Sequence, residues 1–221
     1  VSLNIKDVKK SFLQGESSID VLRGLQADIK TGEVVSIVGQ SGSGKSTLLS
    51  ILAGLERADS GSIVVDSVEM TNLSEQAMTG FRAQNIAIVF QQYHLISHLT
   101  ALENVALALE ILKIDDATKK AEEALTRMQL GHRLHHFPSQ LSGGECQRVA
   151  IARALVVKPK ILLADEPSGN LDIKTGEHVM DVFFDVVKDS GITTILVTHS
   201  EALAERCQRK LRLEDGQLKE Y

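Results

Sequence analysis

Residues 39–47 read Gly-Gln-Ser-Gly-Ser-Gly-Lys-Ser-Thr and satisfy G-x-x-x-x-G-K-[ST], the pattern of a phosphate-binding P-loop. Gly39, Gly42 and Gly44 let the backbone curl so that successive N–H groups point at one anion. A helix starting near Lys45 adds its positive end. Lys45 can reach β- and γ-phosphates, and the Ser46 hydroxyl can bind Mg²⁺. Gln40, Ser41, Ser43 and Thr47 complete the run, and all nine residues are candidates for contact with a nucleoside triphosphate. The context agrees: the apolar run Val34–Val38 precedes the loop, and Thr47–Leu52 follows with helical apolar spacing. The spacing predicts a nucleoside triphosphate site.

Two further sets could do chemistry on such a ligand. Asp165 and Glu166 close a buried apolar run, Ile161–Ala164. In P-loop folds a strand-end Asp completes the Mg²⁺ shell, which assigns Asp165 to the metal. Glu166 is then placed to activate a water against the γ-phosphate. Leu141-Ser142-Gly143-Gly144-Glu145 precedes an apolar helix over 149–156. Ser142 and Glu145 have capping-box spacing, and two glycines at a helix start expose N–H groups to an anion.

These residues need elements to position them. Leu3–Lys9 and Val21–Ile29 are expected as strands of a β-rich opening section with Gly15 between them, followed by strands at Val34–Val38 and Ser62–Val65. Leu73–Gln84 reads as a helix weakened by Gly80, and Ile86–Phe90 as a buried strand. Thr100 and Glu103 form a capping box ahead of a helix to about Leu112, and a second helix covers about Ala117–Met128. Asp172 caps a helix to about Asp189 that ends at Gly191, Ile192–Val197 is a strand, and Lys210–Glu220 is a hairpin around Asp215-Gly216. The expected fold is α/β: a P-loop NTPase core (1–90 and 158–221) with a mixed sheet, an N-terminal antiparallel section, and a helical subdomain at 91–157.

Leu-Ser-Gly-Gly between an upstream P-loop and a downstream Asp-Glu-Pro resembles the signature of the ATP-binding-cassette (ABC) ATPases, and the resemblance covers essentially the whole chain. It implies roles for further residues. Phe12 matches the aromatic that stacks on adenine. Gln91 matches the Q-loop residue that touches Mg²⁺ or the attacking water beside the membrane-partner contact. Asp172 matches the D-loop. His199 matches the switch histidine that orients the γ-phosphate and water. The resemblance implies that Ser142, Gly143, Gly144 and Glu145 act in trans, closing over ATP held by a second copy. It further implies ATP and Mg²⁺ as cofactors, a homodimer on ATP binding, a separate integral membrane permease, and a place on the cytoplasmic face of the inner membrane. The stretches 90–95, 100–105 and 164–172 are similar to one subgroup, the lipoprotein-release, macrolide-efflux and cell-division ATPases (LolD-, MacB- and FtsE-like) with YbbA-like relatives. Ser168 departs from that subgroup's Thr, and Ala106–Leu109 lacks its proline. Alternative readings are a mechanical signalling ATPase without cargo and a soluble ABC ATPase acting on ribosomes or DNA.

Composition narrows the classes. The 221 residues are 43% hydrophobic, enough for a core, and no apolar run reaches the ~18 residues of a membrane span. Val1–Lys6 lacks signal-peptide features, and the missing initiator Met suggests a trimmed or replaced start. A net charge of −5 argues against a nucleic-acid partner. Cys146 and Cys207 lack metal spacing and suit a reduced, cytoplasmic setting, with Cys146 as a small space-filler. His132, His135 and His136 are expected on a surface loop, and Lys119, Lys120, Glu122 and Glu123 on a solvated helix face.

Overall fold

The structure, a computed structural model, describes residues 3–15 and 17–221. Val1 and Ser2, part of the opening segment read above for targeting signals, lie outside them. In chain order the elements are β1 (Leu3–Gln14), β2 (Ser17–Ile29), β3 (Val34–Val38), α1 (Lys45–Leu52), β4 (Ser60–Val65), β5 (Val68–Glu69), α2 (Glu75–Asn85) and β6 (Ile86–Val89). There follow α3 (Ala101–Ile111), α4 (Ala117–Arg127), α5 (Gly143–Leu155), β7 (Ile161–Asp165), α6 (Ile173–Ser190), β8 (Thr193–Val197), α7 (Glu201–Ala204), β9 (Arg209–Glu214) and β10 (Gln217–Glu220). Contacts divide the chain into two compact units, Val1–Ile86 with Thr193–Tyr221, and Ala87–Ile192.

The first unit is built on strands. β1 pairs antiparallel with both β2 and β4, and β4 with β5. β3 lies parallel to β8 on one side and β9 on the other, while β10 returns antiparallel to β9, so this sheet is mixed. All five residues of β8 are buried, as a strand covered on both faces requires. β1 and β2 run well beyond their expected ends. The reason is a register break. The inward residues of β1 are Leu3, Ile5, Val8 and Lys10, so the alternation of period two skips a residue between Ile5 and Val8. Asp7 sits there at φ +48°, and Gly61 of β4 answers it at φ +96°. A Cβ on Gly61 would lie 2.5 Å from the Asp7 carbonyl, so only glycine lets the two backbones approach. Asp215 and Gly216 both take positive φ, +50° and +75°, as a type I′ hairpin turn demands.

The second unit is mainly helical, with β6 and β7 as neighbours in its sheet. α3 packs on α4 and α5, and α6 packs on α5. Val105 and Leu109 of α3, Ala121 and Leu125 of α4, and Val149 and Ile151 of α5 are all essentially inaccessible. The helix ends follow the sequence signals. Thr100 and Glu103 make both bonds of a capping box, and so do Ser142 and Glu145. Asp172 accepts from the Thr175 N–H at 3.2 Å, and Gly191 closes α6 at φ +63°. Each Ser or Thr cap contributes about 0.5–2 kcal/mol relative to Ala. Among the described residues no helix is long and apolar enough to cross a membrane.

Candidate functional site

The first unit carries the P-loop. β3 is a buried parallel strand that delivers the chain at Gly39, and α1 begins at Lys45 with no acidic residue in its first turn. Gly42 and Gly44 hold φ +80° and +101°, which turns consecutive N–H groups inward. A Cβ on Gly39 would lie 2.7 Å from the Leu213 carbonyl and 2.7 Å from Ser43 Oγ, so the loop floor tolerates no side chain there. Ser43 Oγ is buried without a hydrogen-bond partner, a polar atom that an anion's oxygen would satisfy. Lys45 Nζ donates to the carbonyls of Gly39 and Gln40, at 2.8 Å each, which pins the ammonium at the loop's rim. These features fit a bound triphosphate: a backbone cradle, a cation and an unsatisfied hydroxyl. Ser46 is exposed on the first turn of α1, and Thr47 follows it, half-buried.

A groove of about 590 Å³ borders Gly39–Ser43, and His199 lines it with them. The switch histidine predicted from sequence therefore joins the P-loop in space, because β8 lies directly beside β3. Phe12 is not among the groove's lining residues, but its register partner Ile19 is. The Phe12 ring is 42% exposed, and the Lys10 ammonium lies 5.0 Å from its centroid. Lys10 is itself buried and held by Glu56, Asp59 and the Arg57 carbonyl. That cluster fixes the strand from which Phe12 projects.

The second unit carries the remaining candidates. Asp165 ends β7 and Glu166 follows at φ +45°, a backbone region that non-glycine residues rarely adopt and that is often met at functional sites. Gln91 Nε2 donates to Asn170 Oδ1 at 3.0 Å, and Asn170 Nδ2 donates to the Gln91 carbonyl at 3.1 Å. This pairing leaves the Gln91 amide oxygen available to a cation or water. A Cβ on Gly169 would lie 2.7 Å from Gln91 Nε2, so that glycine makes room for the Gln91 side chain. The signature glycines are equally constrained. A Cβ on Gly143 would press on the Tyr93 hydroxyl at 2.8 Å, and one on Gly144 on the Thr175 methyl at 2.5 Å. Q-loop, signature and the start of α6, capped by Asp172, thus converge within this unit.

Sequence reasoning passed over several residues. Asn170 lies inside the 164–172 stretch, where the resemblance implies no role for it. Arg153, half-buried, donates to the carbonyls of His94 (2.7 Å) and Tyr93 (3.0 Å) and so fixes the chain just after Gln91. Asn104 is fully buried and bonds the backbone of Ile96, Leu99 and Thr100, a use of the Glu-Asn-Val stretch that its composition did not announce. His132 and His135 are exposed on a loop, whereas His136 is half-buried and bonded to Arg133. Cys146 is buried, and burial pushes its thiol up, which suits a packing role.

Burial alone would raise the Glu145 pKa. The Ser142 N–H and O–H and the Arg133 guanidinium more than offset that and hold it at about 2. Glu145 therefore stabilises the fold above its unfolded value near 4.5, and the contribution is lost as pH falls from there toward 2. Its full size is at most about 3 kcal/mol. Urea melts of the parent and of Glu145→Gln at about pH 5 and about pH 3 check this: the parent's advantage is expected to shrink on acidification. An advantage independent of pH would contradict it.

A family model described as ABC transporter matches residues 22–169. The chain is 46% identical over 218 residues to the lipoprotein-releasing system ATP-binding protein LolD of Geobacter metallireducens, covering 98% of this chain and 97% of that protein. It is 46% identical over 220 residues to the uncharacterized ABC transporter ATP-binding protein YbbA of Escherichia coli, covering 99% and 96%. Among solved structures, the ATP-binding cassette MJ0796 in a dimeric post-hydrolysis state bound to ADP and Pi matches with a TM-score of 0.89 at 41% identity. The match covers 99% of this chain and 97% of that one.

Proposed function

Because the chain belongs to the ABC transporter family as an ATP-binding, ATP-hydrolysing subunit, we propose that two copies meet head-to-tail and drive a separate membrane permease of the lipoprotein-release type. In this reading ATP lies on the P-loop of one copy, Phe12 stacks on its base, and Ser142, Gly143 and Gly144 of the second copy close over the γ-phosphate. A two-fold dimer contains the arrangement twice. The observation that carries the reading is the P-loop floor, with its Gly39 cradle, the partnerless Ser43 hydroxyl and the Lys45 ammonium. The dimeric relative bound to ADP and Pi supports the pairing.

Glu166 accepts the proton of a water whose oxygen attacks the γ-phosphorus in line, while the bond to the β-phosphate oxygen breaks to give ADP and phosphate. Lys45 and His199 stabilise the charge that develops on the γ-phosphoryl oxygens. Ser46, Gln91 and Asp165 offer a hydroxyl, an amide oxygen and a carboxylate, the oxygen donors that suit Mg²⁺. When bound, the ion neutralises charge on the β- and γ-phosphates. Asp172 caps α6 beside the signature and would steady the dimer contact.

The subunit is placed by this reading at the cytoplasmic face of the inner membrane, through its permease. Affinity-tagged full-length chain carrying Glu166→Gln, solubilised from membranes with ATP, is expected to bring down an integral membrane protein with a large periplasmic domain. Recovery with ribosomes or DNA instead would contradict the transporter reading.

A further inference from the structure

Arg133 precedes Ser142 by nine residues in a turn between α4 and α5, and no motif draws attention to it. Its Nε donates to Glu145 Oε1 at 2.8 Å. The other carboxylate oxygen of Glu145 accepts from the Ser142 N–H at 2.8 Å and from the Ser142 hydroxyl at 2.9 Å. An ionised carboxylate only accepts, so the single hydroxyl proton of Ser142 points at Glu145. The turn that carries Arg133 is anchored. The carbonyls of Leu134 and His136 accept the first free N–H groups of α3, from Leu102 at 2.9 Å and Ala101 at 2.8 Å. His136 Nε2 lies 3.1 Å from Arg133 Nη1. A guanidinium only donates, so the imidazole accepts there and steadies the fork. Arg148 also feels the charge of Glu145 through space, although its own burial dominates and lowers its pKa.

In the composite site proposed above, this arrangement sets a conflict. To meet a γ-phosphate, Ser142 must turn its proton away from Glu145. The carboxylate competes for that proton, and its negative charge opposes the phosphate. We propose that Arg133 is a positioning residue for the signature: by pairing with Glu145 it weakens the carboxylate's hold on Ser142 and cancels its charge, so that the serine can donate to a γ-phosphate across the dimer. The proposal rests on the trans reading of the signature. It assigns a purpose to a loop arginine and to His136, which the catalytic set leaves unused.

The test uses full-length chain carrying Glu166→Gln, so that ATP persists, and measures ATP-dependent dimerisation by light scattering and ATP affinity by calorimetry. Arg133→Met is expected to leave ATP affinity unchanged and to weaken dimerisation about tenfold or more, the scale of a hydrogen bond to a charged group. Arg133→Lys, which keeps the charge, is expected to retain most of it. Adding Glu145→Gln to Arg133→Met is expected to restore dimerisation, because no carboxylate remains to be neutralised. A mere brace for the turn would not be rescued in this way. The proposal is overturned if Arg133→Met dimerises like its parent, if Lys fails as badly as Met, or if Glu145→Gln brings no rescue. Ser142→Arg separates the two levels. If it blocks dimerisation while Arg133→Met does not, only the role of Arg133 falls. If it dimerises normally, the trans reading falls, and the proposal with it.

Discussion

Glu166→Gln is expected to lower ATP turnover by about 10²–10⁴-fold, the usual worth of a general base, while leaving ATP binding intact. The substitution keeps the size and hydrogen-bonding reach of the side chain and removes only its ability to take a proton. Glu166 sits at φ +45° immediately after β7, a conformation often met at functional sites. The substitution leaves Lys45 and the glycine cradle in place, and these are expected to hold the triphosphate as before. With hydrolysis stopped and closure intact, the variant is expected to accumulate as an ATP-bound dimer. Light scattering with ATP, beside a phosphate-release assay, checks both halves. Turnover equal to that of the parent would remove Glu166 from the mechanism.

Much of the site was legible because its chemistry is local. The P-loop is nine consecutive residues whose backbone forms the cradle, and the capping boxes at Thr100 and Ser142 and the Asp172 cap are contacts between residues three apart. Asp215-Gly216 is the same kind of signal, a turn encoded in two residues. The full length of β1 was not legible, because the bulge at Asp7 shifts the alternation and a buried charge, Lys10, occupies an inward position. Lys10 makes sense only once Glu56 and Asp59, far along the chain, are seen to hold its ammonium. α7 is one turn long, too short for periodicity to show. His136 was assigned to a loop, which is where it lies, yet its partner Arg133 and their shared link to Glu145 are tertiary facts. The cradles around Gly143, Gly144 and Gly169 are likewise set by Tyr93, Thr175 and Gln91, none of them sequence neighbours.

In the proposed dimer a working site takes its P-loop from one copy and its signature from another. Two inactive chains put this to the test. Lys45→Ala removes the only P-loop cation, the one that the Gly39 and Gln40 carbonyls hold at the rim, and is expected to abolish ATP binding at its own loop. Ser142→Arg replaces the signature cap and is expected to block closure; a melt first confirms that it folds, since the lost cap costs about 0.5–2 kcal/mol. Each chain alone should be inactive. In a mixed dimer, the intact P-loop of the Ser142→Arg chain faces the intact signature of the Lys45→Ala chain, and the second site carries both lesions. With equal mixing about half the dimers are mixed, each with one sound site of two, so about a quarter of parental activity is expected to return. Crosslinking establishes that mixed dimers form. This recovery is expected, with activity of the parent rising faster than linearly at low protein concentration. A mixture with proven heterodimers that hydrolyses no more ATP than the two chains measured apart would contradict it.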